Sequence, residues 1–283
     1  MVIRITVISS LLLTLGVMVF TILIPSGVPE IVEAGEKPLV ILNNDLPTLS
    51  SQAVKIFDQA TGQVLFAKNA EEVLPIASIT KLFTAYSVLK TLPLTAEYEV
   101  TESDVAAYGR AGRLASGQVY SVRELLFPLL LESSNDAAAV YERETNDEVV
   151  RNAQELLEGL GVKDTTLVDA SGLSPRNLST ASDIALASSL IYVDEPHLFD
   201  ITRLKSQGGR YVSWANNDPV IGPDFKGGKH GYTDAAGRTI VAFFEEEVEG
   251  TSKNIGYVLL GSADLAEDIK KAREFIKESV RLQ

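Results

Sequence analysis

The 283-residue chain contains no cysteine. That absence excludes a disulfide framework, a Cys-His nucleophile and any thiolate metal site. Histidine is nearly as scarce, with only His197 and His230, so a zinc site of the usual His/Cys type cannot be assembled and neither metal nor cofactor is expected. A Ser-His-Asp triad would have to use one of these two histidines, and the sequence has no Gly-x-Ser-x-Gly elbow to go with it. Basic residues are few as well: 25 Lys and Arg stand against 38 Asp and Glu, a net charge of −13. With no basic stripe interleaved with aromatics, this excludes a nucleic-acid partner. Repeats and low-complexity tracts are missing too. The acidic run Glu245-Glu246-Glu247 with Glu249 reads as a solvated strand edge rather than a metal site. His197, just after Pro196, reads as a surface residue at a helix start.

There is one long hydrophobic run. Arg4 is followed by an uncharged, mostly apolar stretch from Ile5 to Ile24, long enough to cross a bilayer as a helix and longer than the usual core of a signal peptide. An Ala at the end of Val32-Glu33-Ala34 offers a cleavage site, but it lies well beyond the stretch. Residues 1–24 are therefore read as a signal-anchor or signal peptide, with the anchor favoured. A single Arg before the run and Glu30, Glu33 and Glu36 after it place the N-terminus inside and the rest outside the cell membrane, or secreted if the segment is cleaved. Residues 25–48 form a Pro/Glu-rich tether, and residues 49–283 are one domain of two lobes.

Within that domain, hydroxyl and amine groups carry the chemistry. Ser78 precedes Lys81 by three residues, in Pro75-Ile76-Ala77-Ser78-Ile79-Thr80-Lys81. On a helix this spacing stacks both side chains on one face, where an amine can take the proton of an attacking hydroxyl. Ser87 and Lys90 repeat the spacing on the opposite side of the same helix, but they lie inside an apolar run, whereas Ser78 stands at a helix start with unpaired backbone N–H groups. Two further segments combine small polar residues with helix or strand patterns: Glu132-Ser133-Ser134-Asn135-Asp136 after an apolar helix, and Lys229-His230-Gly231-Tyr232-Thr233 before a β-rich stretch.

The order Ser-x-x-Lys, Ser-x-Asn, Lys-x-Gly resembles the penicillin-binding proteins and serine β-lactamases, and most closely the low-molecular-weight D-alanyl-D-alanine carboxypeptidases. Gly109-Arg110-Ala111-Gly112-Arg113-Leu114, Asp169-Ala170-Ser171-Gly172-Leu173 and Ser179-Thr180-Ala181-Ser182-Asp183 extend the likeness. The resemblance implies that Ser78 forms an acyl-enzyme with Lys81 as general base, and that Lys229 is the second cation that keeps Lys81 partly neutral. Ser133 would relay a proton to the leaving amine. Asn135 would hold Lys81 or the substrate, and Lys229 would hydrogen-bond Ser133 and attract the substrate carboxylate. The backbone N–H groups of Ser78 and Tyr232 would form the oxyanion hole, with His230, Gly231, Tyr232 and Thr233 along the substrate. His230 stands where the family pattern has threonine, which puts substrate preference and pH optimum in doubt; a histidine there would change charge between about pH 5 and 8.

The fold expected is α/β plus all-α: a five-stranded antiparallel sheet flanked by helices, with a helical lobe inserted between its first and last strands. Strands are read at Val54–Asp58 and Gln63–Ala67 around a turn, at Thr239–Phe244 and at Ile255–Leu260, and a closing helix from about Ala263 to Leu282. The implied function is a membrane-anchored serine D-Ala-D-Ala carboxypeptidase acting on peptidoglycan stem peptides and acylated by β-lactams. A DD-endopeptidase, a serine β-lactamase and a catalytically silent peptidoglycan-binding relative are the alternatives. The lactamase glutamate that activates a deacylating water has no counterpart around Thr165–Leu173.

Overall fold

A computed structural model of the chain describes residues 38–42, 47–106, 108–109 and 111–283. The apolar stretch Ile5–Ile24 and most of the expected tether lie outside the described residues. Among the described residues no helix is long and apolar enough to cross a membrane.

The hairpin expected near residue 60 forms from β1 (Ala53–Asp58) and β2 (Val64–Lys68). Its turn is held by Asp58, whose Oδ1 accepts from the N–H of Ala60 at 2.9 Å, an Asx turn that the sequence Asp-Gln-Ala-Thr-Gly favours. Near the C-terminus, β3 (Phe225–Thr233), β4 (Gly237–Val248) and β5 (Thr251–Ser262) form a meander. The five strands make one antiparallel sheet in the order β3-β4-β5-β1-β2, so the first hairpin docks on the last strand and β3 is an edge.

Helices fill the chain between β2 and β3: α1 (Thr80–Thr91), α2 (Val122–Leu131), α3 (Asn135–Thr145), α4 (Glu148–Gly159), α5 (Ala181–Asp194) and α6 (Pro196–Thr202). They bury one face of the sheet, where Phe57, Val241, Phe243 and Val258 meet Leu82, Phe83, Ile184 and Phe199. The closing helix α7 (Leu265–Ser279) covers the other face, setting Ile269, Ala272, Phe275 and Ile276 against Val54, Ile56, Ala242 and Tyr257. Burial on both faces explains why β4 and β5 read as long apolar runs rather than as a clean alternation. Asp268 of α7 stitches helix to sheet, accepting from the hydroxyls of Ser51 (2.6 Å) and Ser262 (2.7 Å) and from the N–H of Ser50 (2.8 Å).

Two expectations change. Leu39–Ile41, assigned to the tether, pair antiparallel with Val280–Leu282, and Leu39 is buried in the α7-side core, so ordered structure begins before residue 49. The acidic run is not a solvated edge throughout. β4 is an inner strand, and Glu246 is 1% exposed; its Oε1 accepts from Arg273 Nε at 2.5 Å and from the Tyr257 hydroxyl at 3.1 Å. The sequence shows three glutamates in a row but not that the middle one faces α7. Removing Glu246 leaves Arg273 with Asp224 alone, at 3.0 Å, and the buried Tyr257 hydroxyl without its acceptor, so Glu246→Ala should cost about 2 kcal/mol in urea unfolding, while Glu247→Ala on the exposed side should cost less than about 0.5 kcal/mol.

Candidate active site

The Ser78–Lys81 pair is built at a corner. Pro75 ends a short bridge in which Leu74 pairs with Ser179 and Pro75 with Leu178. A 3₁₀ turn, Ala77–Ile79, then leads into α1, so Ser78 stands one short turn ahead of the α-helix and not within it. Ala77 is held at φ +48°, a left-handed conformation that costs an alanine roughly 1–3 kcal/mol and persists only where the surroundings dictate it. The surroundings do so from two sides. Thr80 Oγ1 donates to Ala77 O at 2.8 Å, and Thr239 Oγ1 on β4 donates to Ile76 O at 3.0 Å.

Lys81 is fully buried. Its Nζ lies 2.5 Å from the carbonyl oxygen of Ser171, 2.7 Å from Asn135 Oδ1 and 3.1 Å from Ser78 Oγ. A neutral amine has two N–H donors and one lone pair, so two carbonyl-type acceptors use the donors and leave the lone pair for the Ser78 hydroxyl. Burial, followed by the Lys229 cation, drives Lys81 well below the usual lysine value, against the opposing pull of Asp169 and Glu142. This is the environment in which a lysine acts as a base near neutral pH.

Asn135 is positioned by its helix. The apolar α2 ends at Leu131, Ser133 turns through a left-handed φ of +57°, and the buried Ser134 caps α3 by accepting from the N–H of Ala137 at 3.0 Å. Asn135 is thus the first residue of α3, its Nδ2 donating to the carbonyls of Tyr108 (2.9 Å) and Gly109 (3.0 Å), which fixes Oδ1 toward Lys81. Ser134 also donates to Ala111 O at 2.6 Å and so ties down the loop beside the site. Ser133 itself lines the cleft.

The third wall is the open edge of β3. Gly228 N–H donates away from the sheet to Thr202 Oγ1 at 3.0 Å. In an antiparallel pair the backbone groups of alternate residues point the same way, so the N–H groups of His230 and Tyr232 also face outward. Gly231 lets this edge close on the nucleophile, since a Cβ there would stand 2.5 Å from Ser78 N. The backbone nitrogens of Ser78 and Tyr232 therefore flank one space, as an oxyanion hole requires. Lys229 is 1% exposed and burial brings it down to about 8. Its Nζ donates to His230 O at 2.7 Å and not to Ser133, contrary to expectation. His230 lines the cleft with its Nδ1 3.3 Å from Asp218 Oδ2. Burial and then Lys229 push its pKa below the ordinary imidazole value despite Asp218, so the change of charge is displaced to lower pH than the sequence suggests. Thr233 does not reach the cleft; its Oγ1 accepts from the N–H of Ala236 in the turn to β4.

Ser78, Ser133, His230, Gly231 and Tyr232 surround a cleft of about 370 Å³. Several participants were missed from sequence. Arg238 lines the cleft from β4, opposite Tyr232 in register, its guanidinium 5.4 Å from the Tyr232 ring centroid; counting back across the hairpin turn would have found it. Glu142 of α3 accepts from Ala170 N–H at 2.6 Å, and burial raises its pKa. Asp169 accepts from the N–H groups of Ser171, Gly172 and Ser174 and from Asn177 Nδ2. Together they shape the turn that delivers the Ser171 carbonyl to Lys81. His197 and Ser87 are structural, the first an exposed helix-start residue beside Asp200 and the second buried on Val149 O. Among the described residues no cluster of His, Cys, Asp and Glu could hold a metal.

Solved structures share this architecture. A D-alanyl-D-alanine carboxypeptidase from Mycobacterium tuberculosis superposes with a TM-score of 0.73 at 24% identity, covering 86% of this chain and 94% of that one, which defines a penicillin-binding-protein type of fold. The chain belongs to the D-alanyl-D-alanine carboxypeptidase family of peptidases, whose model matches residues 42–259. Among curated relatives, a D-alanyl-D-alanine endopeptidase of Pseudomonas aeruginosa is 37% identical over 141 residues, 48% of this chain and 46% of that protein. The D-alanyl-D-alanine carboxypeptidase DacD of Escherichia coli is 27% identical over 252 residues, 82% of this chain and 63% of the relative. The matches thus span roughly half to three-fifths of those relatives' length.

Gly172 tests the corner geometry. It stands at φ +79°, and a Cβ on it would overlap the carbonyl oxygen of Ala77. Gly161 has a similar φ of +85° but open space around it. Gly172→Ala should therefore lose about 2 kcal/mol more than Gly161→Ala in urea unfolding; equal losses would mean that the turn does not press on the nucleophile corner.

Proposed function

We propose that the protein is a serine D-Ala-D-Ala peptidase, a carboxypeptidase that removes the terminal D-alanine of peptidoglycan stem peptides through an acyl-enzyme on Ser78. The observation that carries this reading is the buried Lys81 amine, held by Asn135 Oδ1 and Ser171 O and placed 3.1 Å from Ser78 Oγ. In the first step Lys81 takes the hydroxyl proton while Ser78 Oγ attacks the carbonyl of the penultimate D-alanine, and the N–H groups of Ser78 and Tyr232 stabilise the oxyanion. The C–N bond breaks as the proton passes by way of Ser133, at the cleft wall, to the departing amine. Water then attacks the ester, again giving its proton to Lys81, and the shortened peptide leaves. Lys229 and Arg238 supply positive charge for the substrate carboxylate. β-Lactams, which present a reactive amide and a carboxylate in a similar relation, would acylate the same serine.

A cross-link-cleaving endopeptidase uses the same carbonyl and the same residues, and the 37% identity to the Pseudomonas endopeptidase favours keeping it as the second reading. The Ile5–Ile24 stretch supports an N-terminal anchor with the catalytic domain, whose fold includes Leu39–Ile41, outside the membrane, since its length fits a bilayer-spanning helix.

Intact-mass measurement with benzylpenicillin should show one adduct on the wild-type protein and none on Ser78→Ala. An adduct persisting in the mutant would remove Ser78 from the mechanism. The acylation rate should rise with pH as Lys81 loses its proton and fall again above about 8 as Lys229 loses the charge that attracts the carboxylate. Lys229 is cationic below that value and neutral above it, so the alkaline limb should vanish in Lys229→Met, which should be slow at every pH. A profile that keeps rising through pH 9 in the wild-type protein would deny Lys229 that role.

A further inference from the structure

His230 takes the position where the family pattern has a threonine, and its setting changes what that position can bind. Asp218 is 8% exposed and fixed before any ligand arrives. Its own N–H donates to Asn216 Oδ1 at 2.9 Å, and its Oδ1 accepts from the N–H of Val220 at 3.1 Å. Asn216 is anchored in turn, its Nδ2 donating to the carbonyls of Thr202 (2.6 Å) and Leu204 (2.9 Å). The remaining oxygen, Asp218 Oδ2, meets His230 Nδ1 at 3.3 Å. A carboxylate only accepts, so Nδ1 carries the proton and Nε2 of the neutral ring is left with a lone pair. No described residue pairs with Nε2, and it is not among the buried atoms left without a partner, so it is open to the cleft that the ring lines.

A threonine hydroxyl can donate to a carboxylate, whereas the lone pair of a neutral imidazole repels one and accepts from an N–H. The charged groups around the ring are Lys229 and Lys81, which oppose its protonation, and Asp218, which favours it; Arg238 and Glu132 line the same cleft. Burial and the Lys229 cation prevail over Asp218, so the ring gains a second proton only below the ordinary imidazole range.

We infer that the Asp218–His230 pair sets the specificity of this site for the departing residue: with Nδ1 held on Asp218, Nε2 presents a lone pair in the cleft that Arg238 also lines, so a departing residue ending in an N–H donor, such as a carboxamide, gains relative to a site with threonine there, while the free carboxylate is still taken but less well. This rests on the acyl-transfer reading of Ser78 and names the substrate class for it. Lys229 and Arg238 still supply general attraction; His230 decides which end group fits beside them.

The test uses two stem-peptide analogues that differ only in their last group, acyl-D-Ala-D-Ala with a free carboxylate and the same peptide ending in a carboxamide. kcat/KM for each is measured on the full chain between about pH 5 and 8. The ratio of the two cancels the protonation of Lys81, which slows both alike. At pH 7.5 the wild-type ratio should favour the carboxamide by on the order of tenfold relative to His230→Thr, and it should swing toward the carboxylate as the pH falls. In His230→Thr the ratio should favour the carboxylate and change only toward pH 8, where Lys229 begins to lose its charge. Asp218→Asn, which unfixes the ring tautomer while keeping the residue's shape, should reduce the carboxamide preference and serves if His230→Thr does not fold. Turnover of both peptides with the same pH-independent ratio in wild type and variants would overturn this inference and leave the acyl-transfer reading intact. Failure of both peptides and of benzylpenicillin to acylate Ser78, in wild type and in His230→Thr, would overturn both.

Discussion

The site depends on keeping an amine dry. Lys81 is fully buried and its Nζ meets no carboxylate, and an isolated ammonium in that position would carry a desolvation penalty of several kcal/mol. The protein meets this constraint with neutral acceptors and not with a salt bridge. Two carbonyl-type oxygens, from Asn135 and Ser171, take the two donors of a neutral amine, and the Lys229 cation discourages a third proton. Glu142 and Asp169 lie near enough to be felt, but both are engaged with backbone N–H groups of the turn from Asp169 to Ser174. A carboxylate on Lys81 itself would lock it as a cation and remove the base.

Each of these three groups depends on a different part of the chain, which is why the fold has to close around this one side chain. The Ser171 carbonyl needs the turn organised by Asp169; Asn135 needs the corner between α2 and α3; Lys229 needs β3 paired in register with β4. The two left-handed non-glycine residues beside the chemistry, Ala77 and Ser133, mark where the chain is bent to bring Ser78 and Ser133 to the same cleft. The cost is offset by packing on both sides of the sheet, where two cores of large apolar residues fix the strands that these corners lean on.

Local pattern was enough to read much of this. The β1–β2 hairpin, the last two strands and α7 follow from alternation, turn residues and helical periodicity, and the Ser78–Lys81 spacing picked out the hydroxyl and amine that the fold holds 3.1 Å apart. The order of three motifs, with its family resemblance, supplied Ser133, Asn135 and Lys229. What was not legible depends on register or on backbone groups. The Ser171 carbonyl carries no side-chain signal. Asp218 meets His230 only after the loop that follows α6 folds back onto β3, and Glu246 is buried because β4 is an inner strand, which an acidic run cannot reveal. His230 was visible as a departure from the family pattern, but its protonation is set by burial, by the adjacent Lys229 and by Asp218, twelve residues back along the chain.

The most direct test of the central claim is the titration of the Lys81 side chain by ¹³C and ¹⁵N NMR in selectively labelled protein, with the Lys81 signal assigned by its loss in Lys81→Met. The expected result is a resonance that changes protonation well below the ordinary lysine value of 10.5 and moves upward in Lys229→Met, in keeping with burial as the first cause and the second cation as the next. A Lys81 resonance that titrates together with the exposed lysines, and is indifferent to Lys229, would contradict the claim that this amine is buried neutral and serves as the base.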